Sequence, residues 1–346
     1  MGKNRTTEIL EFIKRNPLLS SKEIHAGLTS EMSYATVKRI ISQLVFNSLV
    51  HQQGKGKVSK YIISPAYDMF FPVDIEEYFK KEIDERIIKE SFNFTLITDL
   101  LYKIRLFTEK ELKHLTDLQE TFKANISKLS ENEYLKEMER LAIDLSWKSS
   151  QIEGNTYSLL ETERLLKDKV TASGKTKDEA VMLLNHKGAL DFILQNPDYL
   201  KPITVPKIED IHSILIKELS IERNVRIRRV GITGTNYRPL DNEFQIREAL
   251  DNMCQLINSI DNVFERALLL LVLISYIQPF NDGNKRTARI VCNAELLANG
   301  YCPISFRTID SVEYKKAMLL FYEQNNITVF KKIFIDQFEF AVNTYF

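Results

Sequence analysis

The spacing of apolar residues divides the chain into helical stretches with two β exceptions. Near the N-terminus, Thr7 to Ile13 carries apolar residues at helical intervals, and Ser20 or Ser21 can cap a short helix over Lys22 to Leu28. Ser33 opens a longer helix with Val37, Ile40, Ile41, Leu44 and Val45 at steps of three and four. Leu49 to His51 and Val58 to Ile63 read as two short strands around Gly54-Lys55-Gly56-Lys57. Pro65 to about Asp74 reads as a connector. Residues 66–148 are expected to be a helical scaffold, with amphipathic stretches at Tyr78 to Lys89, Thr108 to Leu129 and Glu133 to Trp147, the last capped from Ser130-Glu131-Asn132. From Ser149 to Phe346 the pattern is again helical. Glu265 to Ile277 is apolar on nearly all sides, which predicts a central buried helix ended by Pro279. Asn284 to Asn299 resumes a helix, with Gly300 as its stop. Val225 to Pro239 alternates and carries glycines, which predicts a β-hairpin. The aromatic stretch Val329 to Phe346 is expected to pack a helix onto the core. The expected fold class is mainly α.

Charge changes the picture only locally. The whole chain has 47 basic and 47 acidic residues, so it is neither a basic nucleic-acid coat protein nor an acidic tail protein. Residues 1–65 differ, with ten basic residues against four acidic ones. Three helices and a glycine-turned hairpin resemble a winged helix-turn-helix. Lys38 and Arg39 fall on its expected recognition helix, and Lys55 and Lys57 on its wing tip, where DNA phosphate contacts would be made. A protein–protein module with a solvated basic face has the same pattern.

The length of 346 residues suits two or three domains. Cys254, Cys292 and Cys302 match no zinc or redox spacing and are expected as reduced thiols. The N-terminus lacks the apolar core of a signal peptide, and the longest apolar run, Ala267 to Ile274, is too short to span a bilayer. A soluble cytoplasmic protein with no membrane partner is expected.

The chemistry concentrates between the two central helices. Phe280 to Gly283 is a short loop feeding a helix N-terminus, where unpaired N–H groups and the helix dipole favour an anion. Gly283 allows close backbone approach, Asn284, Lys285, Arg286 and Arg289 add donors and positive charge, and Asp282 adds a carboxylate suited to Mg²⁺. These residues predict a phosphate-ester or nucleotide site. Phe280 is expected to be a buried anchor, and His186 and His212 hydrogen-bonded structural residues.

The run Gln278-Pro279-Phe280-Asn281-Asp282-Gly283-Asn284-Lys285-Arg286 resembles the signature of the Fic (Fido) family, His-Pro-Phe-x-Asp/Glu-Gly-Asn-Gly/Lys-Arg, at every fixed position but the first. Ser149-Ser150-Gln151-Ile152-Glu153-Gly154 is similar to the family's inhibitory motif, Ser/Thr-x-x-x-Glu-Gly/Asn, and Val230 to Pro239 to its target-binding flap. The resemblance covers Ser149 to Phe346 and implies a Fic-type helical bundle. It implies ATP, or ADP or AMP, bound by Gly283, Asn284, Lys285, Arg286 and Arg289, with Mg²⁺ on Asp282. Asn284 would use its side chain as well as its backbone. Arg289 would meet the γ-phosphate or else Glu153, with Ser149 and Gly154 completing the inhibitory motif. As an alternative, Glu153 is a helix-capping or surface acid. The flap residues Gly231, Ile232, Thr233 and Gly234 would pair with an extended protein target carrying a hydroxyl; otherwise they form an ordinary surface hairpin. Family analogy extends to a homodimer.

The departure is at Gln278, where the family's histidine takes the proton of the target hydroxyl as AMP is transferred. An amide cannot do so near neutral pH, and losing a general base costs roughly 10²–10⁴-fold. Either a natural glutamine makes the chemistry slow or altered, or the histidine has been replaced by engineering. Two other readings stand beside AMP transfer. One is a nucleotide-sensing, DNA-binding transcription regulator. The other is a phosphotransferase, because Lys285 resembles the phosphate-transferring toxin branch of the family.

Overall fold

The computed structural model describes residues 2–346, apart from the side chains of residues 2–4 and of Lys57. The DNA-contact expectation at Lys57 therefore lies outside the described side chains. The chain divides into two compact units, one running to Asp74 and including Gln324–Thr328, the other comprising Ile75–Glu323 and Val329–Phe346.

The first unit contains α1 (Gly2–Arg15), α2 (Ser21–Gly27), α3 (Tyr34–Phe46), β1 (Val50–Gln53) and β2 (Lys60–Ile63). Ser20 and Glu23 form a reciprocal capping box that starts α2, and Ser33 caps α3. Ile9, Ile13, Ile24, Val37, Ile41 and Leu44 share one core, and their spacing sets which face of each helix turns inward. β1 and β2 pair antiparallel, from Val50 opposite Ile63 to Gln53 opposite Lys60. The expected connector is not bare: Tyr67–Phe70 forms a helical turn, and Asn326 donates to the carbonyls of Asp68 and Phe71.

The second unit is helical among its described residues. Its principal helices are α4 (Glu109–Ile126), α5 (Glu131–Ile152), α6 (Leu159–Asp168), α7 (Lys177–Gln195), α8 (Val205–Leu215), α9 (Glu243–Ser259), α10 (Val263–Ile277), α11 (Asn284–Ala298), α12 (Ser311–Gln324) and α13 (Thr328–Tyr345). From Phe264 to Ile277 only Arg266 of α10 escapes full burial, so α10 is the central element. α11 packs along it. Phe330, Phe334 and Phe338 bury the aromatic face of α13, as its composition predicts. No helix among the described residues is long and apolar enough to cross a membrane. Cys254, Cys292 and Cys302 are free and buried.

Three sequence expectations need correction. Tyr78 to Lys89 is not a helix; only Ile75–Tyr78 and a 3₁₀ turn at Ile83–Glu85 form there. The boundary expected at 148/149 lies inside α5, whose 22 residues run unbroken from a Ser130–Glu133 capping box to Ile152. The β-hairpin expected over 225–239 does not form; the chain makes no strand ladder within itself and has a turn at Thr233 and Gly234. The reason lies in the buried Arg226. Its guanidinium donates to the carbonyls of Gln278 (2.6 Å), Arg228 (2.8 Å) and Leu240 (2.5 Å), which ties the two ends of the segment together and to the loop at 278 without a strand ladder. The antiparallel hairpin of the described residues is β1–β2 alone.

Candidate active site

The end of α10 builds the first wall. Gln278 adopts the left-handed conformation (φ 52°, ψ 57°) that closes the helix, and its N–H bonds to Ile274 O at 3.1 Å. For a residue with a Cβ this conformation costs roughly 1 kcal/mol. The side chain is buried and saturated with partners. Its Nε2 donates to Ser275 O (2.7 Å) and to Tyr322 Oη (3.2 Å), and its Oε1 accepts from Asn284 Nδ2 (3.0 Å).

The loop that follows is held from inside. Asn284 Oδ1 accepts from Phe280 N (2.8 Å), and Nδ2 donates to Phe280 O (2.8 Å) as well as to Gln278. This corrects the expectation for Asn284: its amide clamps the loop, and only its backbone N–H, at the start of α11, remains for an anion. Phe280 is the buried anchor expected, stacked on His212 at 3.6 Å with the rings 3° apart. His212 donates from Nε2 to Asp282 O (2.9 Å). Burial, against the pull of the Asp282 and Arg223 carbonyls, lowers its pKa to about 4, so the ring is neutral near pH 7. His186 is also buried and neutral, but neither ring nitrogen has a hydrogen-bond partner, contrary to expectation.

Gly283 has φ 82° and caps α11. A Cβ there would sit 3.4 Å from the His212 ring in a backbone conformation that favours glycine. Asp282 Oδ1 accepts from Gly283 N (2.6 Å) and Oδ2 from Arg286 Nη2 (3.0 Å), yet its side chain is 61% exposed. Arg286 is buried, and its Nε and Nη1 have no hydrogen-bond partner. Buried, unsatisfied guanidinium donors behind an anion loop are compatible with a phosphate.

Opposite the loop stands the end of α5. Glu153 is the C-cap residue, and Gly154 follows with φ 99°. An acid at a helix C-terminus opposes the helix dipole, so capping does not explain it. Its Oε1 accepts from Arg289 Nη2 (2.8 Å) and its Oε2 from Lys285 Nζ (3.3 Å). Burial would raise its pKa, but Arg289 and then Lys285 overcome this and lower it to about 2. Arg289 is fully buried and also donates to Ser149 Oγ (2.8 Å) and Ser149 O (3.0 Å). Ser149 and Glu153 thus hold one guanidinium from successive turns of the same helix.

Glu153, Gln278, Asp282 and Lys285 meet Gly231 and Thr233 around one cavity of about 380 Å³. Lys315, Met318, Leu319 and Tyr322 of α12 form another wall. The sequence reading missed this face, although the i, i+3, i+4, i+7 spacing was available. Glu323, next on the same helix, does not line the cavity and pairs with Arg86 at 3.0 Å. Gly234 points its carbonyl to Arg86 Nη2 (2.9 Å) and does not line the cavity, unlike Gly231, Ile232 and Thr233. Lys38, Arg39 and Lys55 are exposed on the first unit.

No group of three or more His, Cys, Asp or Glu suited to a metal occurs among the described residues. Asp282 is a single exposed carboxylate. That fits Mg²⁺ taking most of its ligands from phosphate and water, not a cage built by protein.

Residues 202–296 match the Fic/DOC family. The chain is 30% identical over 172 residues to the protein adenylyltransferase Fic of Nematostella vectensis, a match covering 48% of this chain and 40% of that protein. It is 27% identical over 171 residues to protein adenylyltransferase fic-1 of Caenorhabditis elegans, covering 47% and 33%. Among solved structures, Fic-1 (aa134–508) from C. elegans superimposes with a TM-score of 0.60 at 21% identity, over 68% of this chain and 72% of that one. A Fic-domain-containing signaling protein from Bacteroides thetaiotaomicron gives 0.58 at 20% identity, over 67% and 95%. The chain therefore contains a Fic/DOC domain with the Fic helical fold. The matches span less than half the length of these curated relatives.

Proposed function

We propose that this protein binds ATP and belongs functionally with the AMP-transferring Fic proteins, with a weakened transfer step and a built-in carboxylate brake. The observation that carries this reading is the single cavity joining the α11 N-terminal loop, Glu153 and the 231–233 segment. The triphosphate would lie along the N–H groups from Gly283 to Lys285, with Lys285 and Arg286 neutralising it, and Asp282 would be the residue to hold a Mg²⁺ that supplies further neutralising charge. The apolar side chains of Met318 and Leu319 would accept the base. In the transfer, a target hydroxyl oxygen bonds to the α-phosphorus, the bond to the β-phosphate oxygen breaks, and pyrophosphate leaves. The hydroxyl proton needs an acceptor. Gln278 is not one, because its oxygen is an amide oxygen already engaged by Asn284. Positioning and phosphate electrostatics survive, so slow transfer is the expected activity.

Intact-mass measurement after incubation with ATP and Mg²⁺ tests this on the unmodified chain, Glu153→Gly and Gln278→His. Slow addition of AMP, faster in both variants, is expected. Calorimetry with no detectable ATP or ADP binding would sink the nucleotide reading itself.

A second reading concerns the first unit. Lys38 and Arg39 are exposed on α3 and Lys55 between the strands, whereas Lys60 is paired with Glu23 at 2.8 Å. Such a face suits DNA phosphates and a role as a nucleotide-sensing regulator. DNA binding that weakens with salt and with Lys38→Ala and Arg39→Ala is the expected result. Absence of binding at low salt would remove this reading.

A further inference from the structure

The 229–241 segment borders a second, larger cavity of about 800 Å³, on which the proposed function makes no demand. Its apolar lining includes Phe92, Phe94, Tyr237 and Leu240. Phe92 is fixed by stacking on Tyr276 at 4.6 Å, and Tyr237 stacks on the same ring at 5.2 Å. Val230, Gly231 and Ile232 border both cavities. The two spaces therefore adjoin along three consecutive residues of this segment.

That segment has one half held and one free. Beyond the turn, Arg238 N donates to Glu90 O (2.8 Å), Asn236 Nδ2 to Asp84 Oδ1 (2.8 Å), and Arg86 Nη2 to Gly234 O. Residues 84–91 thus strap the returning half of the segment to the body of the unit. Among the described residues, the backbone groups of 229–233 make no hydrogen bond. Unpaired backbone N–H and C=O groups beside an open cavity offer partners for strand addition.

Both charges flank the segment: Asp84, Glu90 and Asp241 lie along its strapped half, and three arginines are exposed at positions 228, 229 and 238. Arg228 and Arg238 are exposed and form no ion pair among the described residues, and Arg229 reaches only the partly exposed Asp241 (2.7 Å). Phe244 is 86% exposed, beside Gln245 of the cavity wall.

We infer that the target is an acidic extended segment with a bulky apolar residue directly beside its acceptor hydroxyl. This rests on the AMP-transfer reading and specifies its substrate. Successive side chains of a strand point to opposite sides. A strand paired with 230–232 that sends its hydroxyl into the smaller cavity sends the neighbouring side chain into the larger one. The aromatic lining takes that neighbour, and Arg228 and Arg238 attract acidic residues further along. The flanking side chain thereby fixes register and selects the hydroxyl.

The test uses the full chain and fluorescein-labelled twelve-residue peptides with one central Thr. The residue next to Thr is Phe, Ala or Lys, and the outer positions are Glu or Ser. Fluorescence anisotropy is expected to give about tenfold tighter binding for Phe than for Ala, since burial of a large apolar side chain supplies at least that factor. The Glu peptides should bind several-fold tighter than the Ser peptides, with the difference shrinking as salt rises. Gln245→Trp, an exposed helical position that fills the cavity, should erase the Phe preference while leaving ATP binding unchanged. Arg228→Glu should erase the preference for Glu. Equal affinities across the series, or no peptide binding, overturn the inference. Calorimetric ATP binding on the same samples judges the nucleotide reading separately. Intact ATP binding with no peptide selectivity would overturn only the docking inference.

Discussion

Replacing Glu153 with glutamine keeps the side chain's size and removes its charge. The wild-type carboxyl is lowered from 4.5 to about 2. That corresponds to ~3 kcal/mol of preference for the charged form, at about 1.4 kcal/mol per pK unit. The side chain is 17% exposed, so solvent screens this little. A ligand that needs Arg289 for its terminal phosphate must first displace Glu153. On this magnitude the displaced state is populated at roughly 10⁻², and apparent triphosphate affinity falls by the same factor. Glu153→Gln should therefore tighten ATP binding by up to about 10²-fold. ADP, without the third phosphate, should change by less than about threefold. Calorimetry with both nucleotides and Mg²⁺ measures the two ratios. Equal gains for ATP and ADP, or none, would refute competition at Arg289. The sign with pH follows from a depressed folded pKa: the contribution is complete above 4.5 and is lost as pH falls toward 2. Between pH 6 and 8 the ATP gain should therefore be flat. The variant should also melt lower than wild type above pH 4.5, so affinity and stability move in opposite directions.

Asn284→Ala leaves Phe280 N, Phe280 O and Gln278 Oε1 without their partner. A loss of roughly 3 kcal/mol in chemical denaturation, with weaker nucleotide binding, is expected; an unchanged denaturation midpoint would rule out the clamp. His212 has its pKa lowered from 6.5 to about 4, first by burial. Its contribution of ~3 kcal/mol is complete above pH 6.5 and disappears as pH falls to 4. His212→Phe keeps the stacking on Phe280 and should flatten Tm against pH between 6.5 and 4, leaving the part due to His186; an unaltered slope would exclude the assignment. Arg86→Ala frees Gly234 O and leaves Glu323 buried without its cation. Hydrogen exchange should accelerate at residues 233–238 and stay unchanged at 281–285; equal acceleration in both would mean global destabilisation and no strap.

The parts of the fold legible in the sequence are those set by local patterning. α10 announces itself because its apolar residues leave no polar face, and α11 because glycine and a run of cationic residues follow a proline. The α2 and α5 starts are visible as Ser-x-x-Glu boxes. What failed was decided by side chains distant in sequence. Alternation at 225–239 suggested strands, but Arg226 satisfies carbonyls from 228, 240 and 278, which no window of neighbours reveals. The 78–89 stretch has helical composition, yet Arg86 turns inward to Glu323, 237 residues away. The anion loop could be placed from sequence. The α12 wall opposite could not, because a helix face carrying Lys315, Met318, Leu319 and Tyr322 reads equally well as surface and core.

The same distinction bears on Gln278. In the sequence it stands out only as the one departure from the motif that the loop resembles. The hydrogen bonds make it a structural member. Two amide hydrogens reach Ser275 O and Tyr322 Oη, and one amide oxygen holds Asn284. Asn284 in turn fixes Phe280, and Phe280 stacks on His212, which holds the Asp282 carbonyl. The glutamine is thus the first link in a chain that shapes the loop over 278–284. A neutral histidine has one donor and one acceptor, so at this position it must forgo one of the three bonds. Gaining a base therefore costs about 1 kcal/mol of loop order. Under the proposed transfer the two demands on the position conflict, and glutamine satisfies the structural one. Gln278→His is expected to transfer AMP faster while melting earlier. Faster transfer with no loss of stability would show that the amide network does not govern the loop.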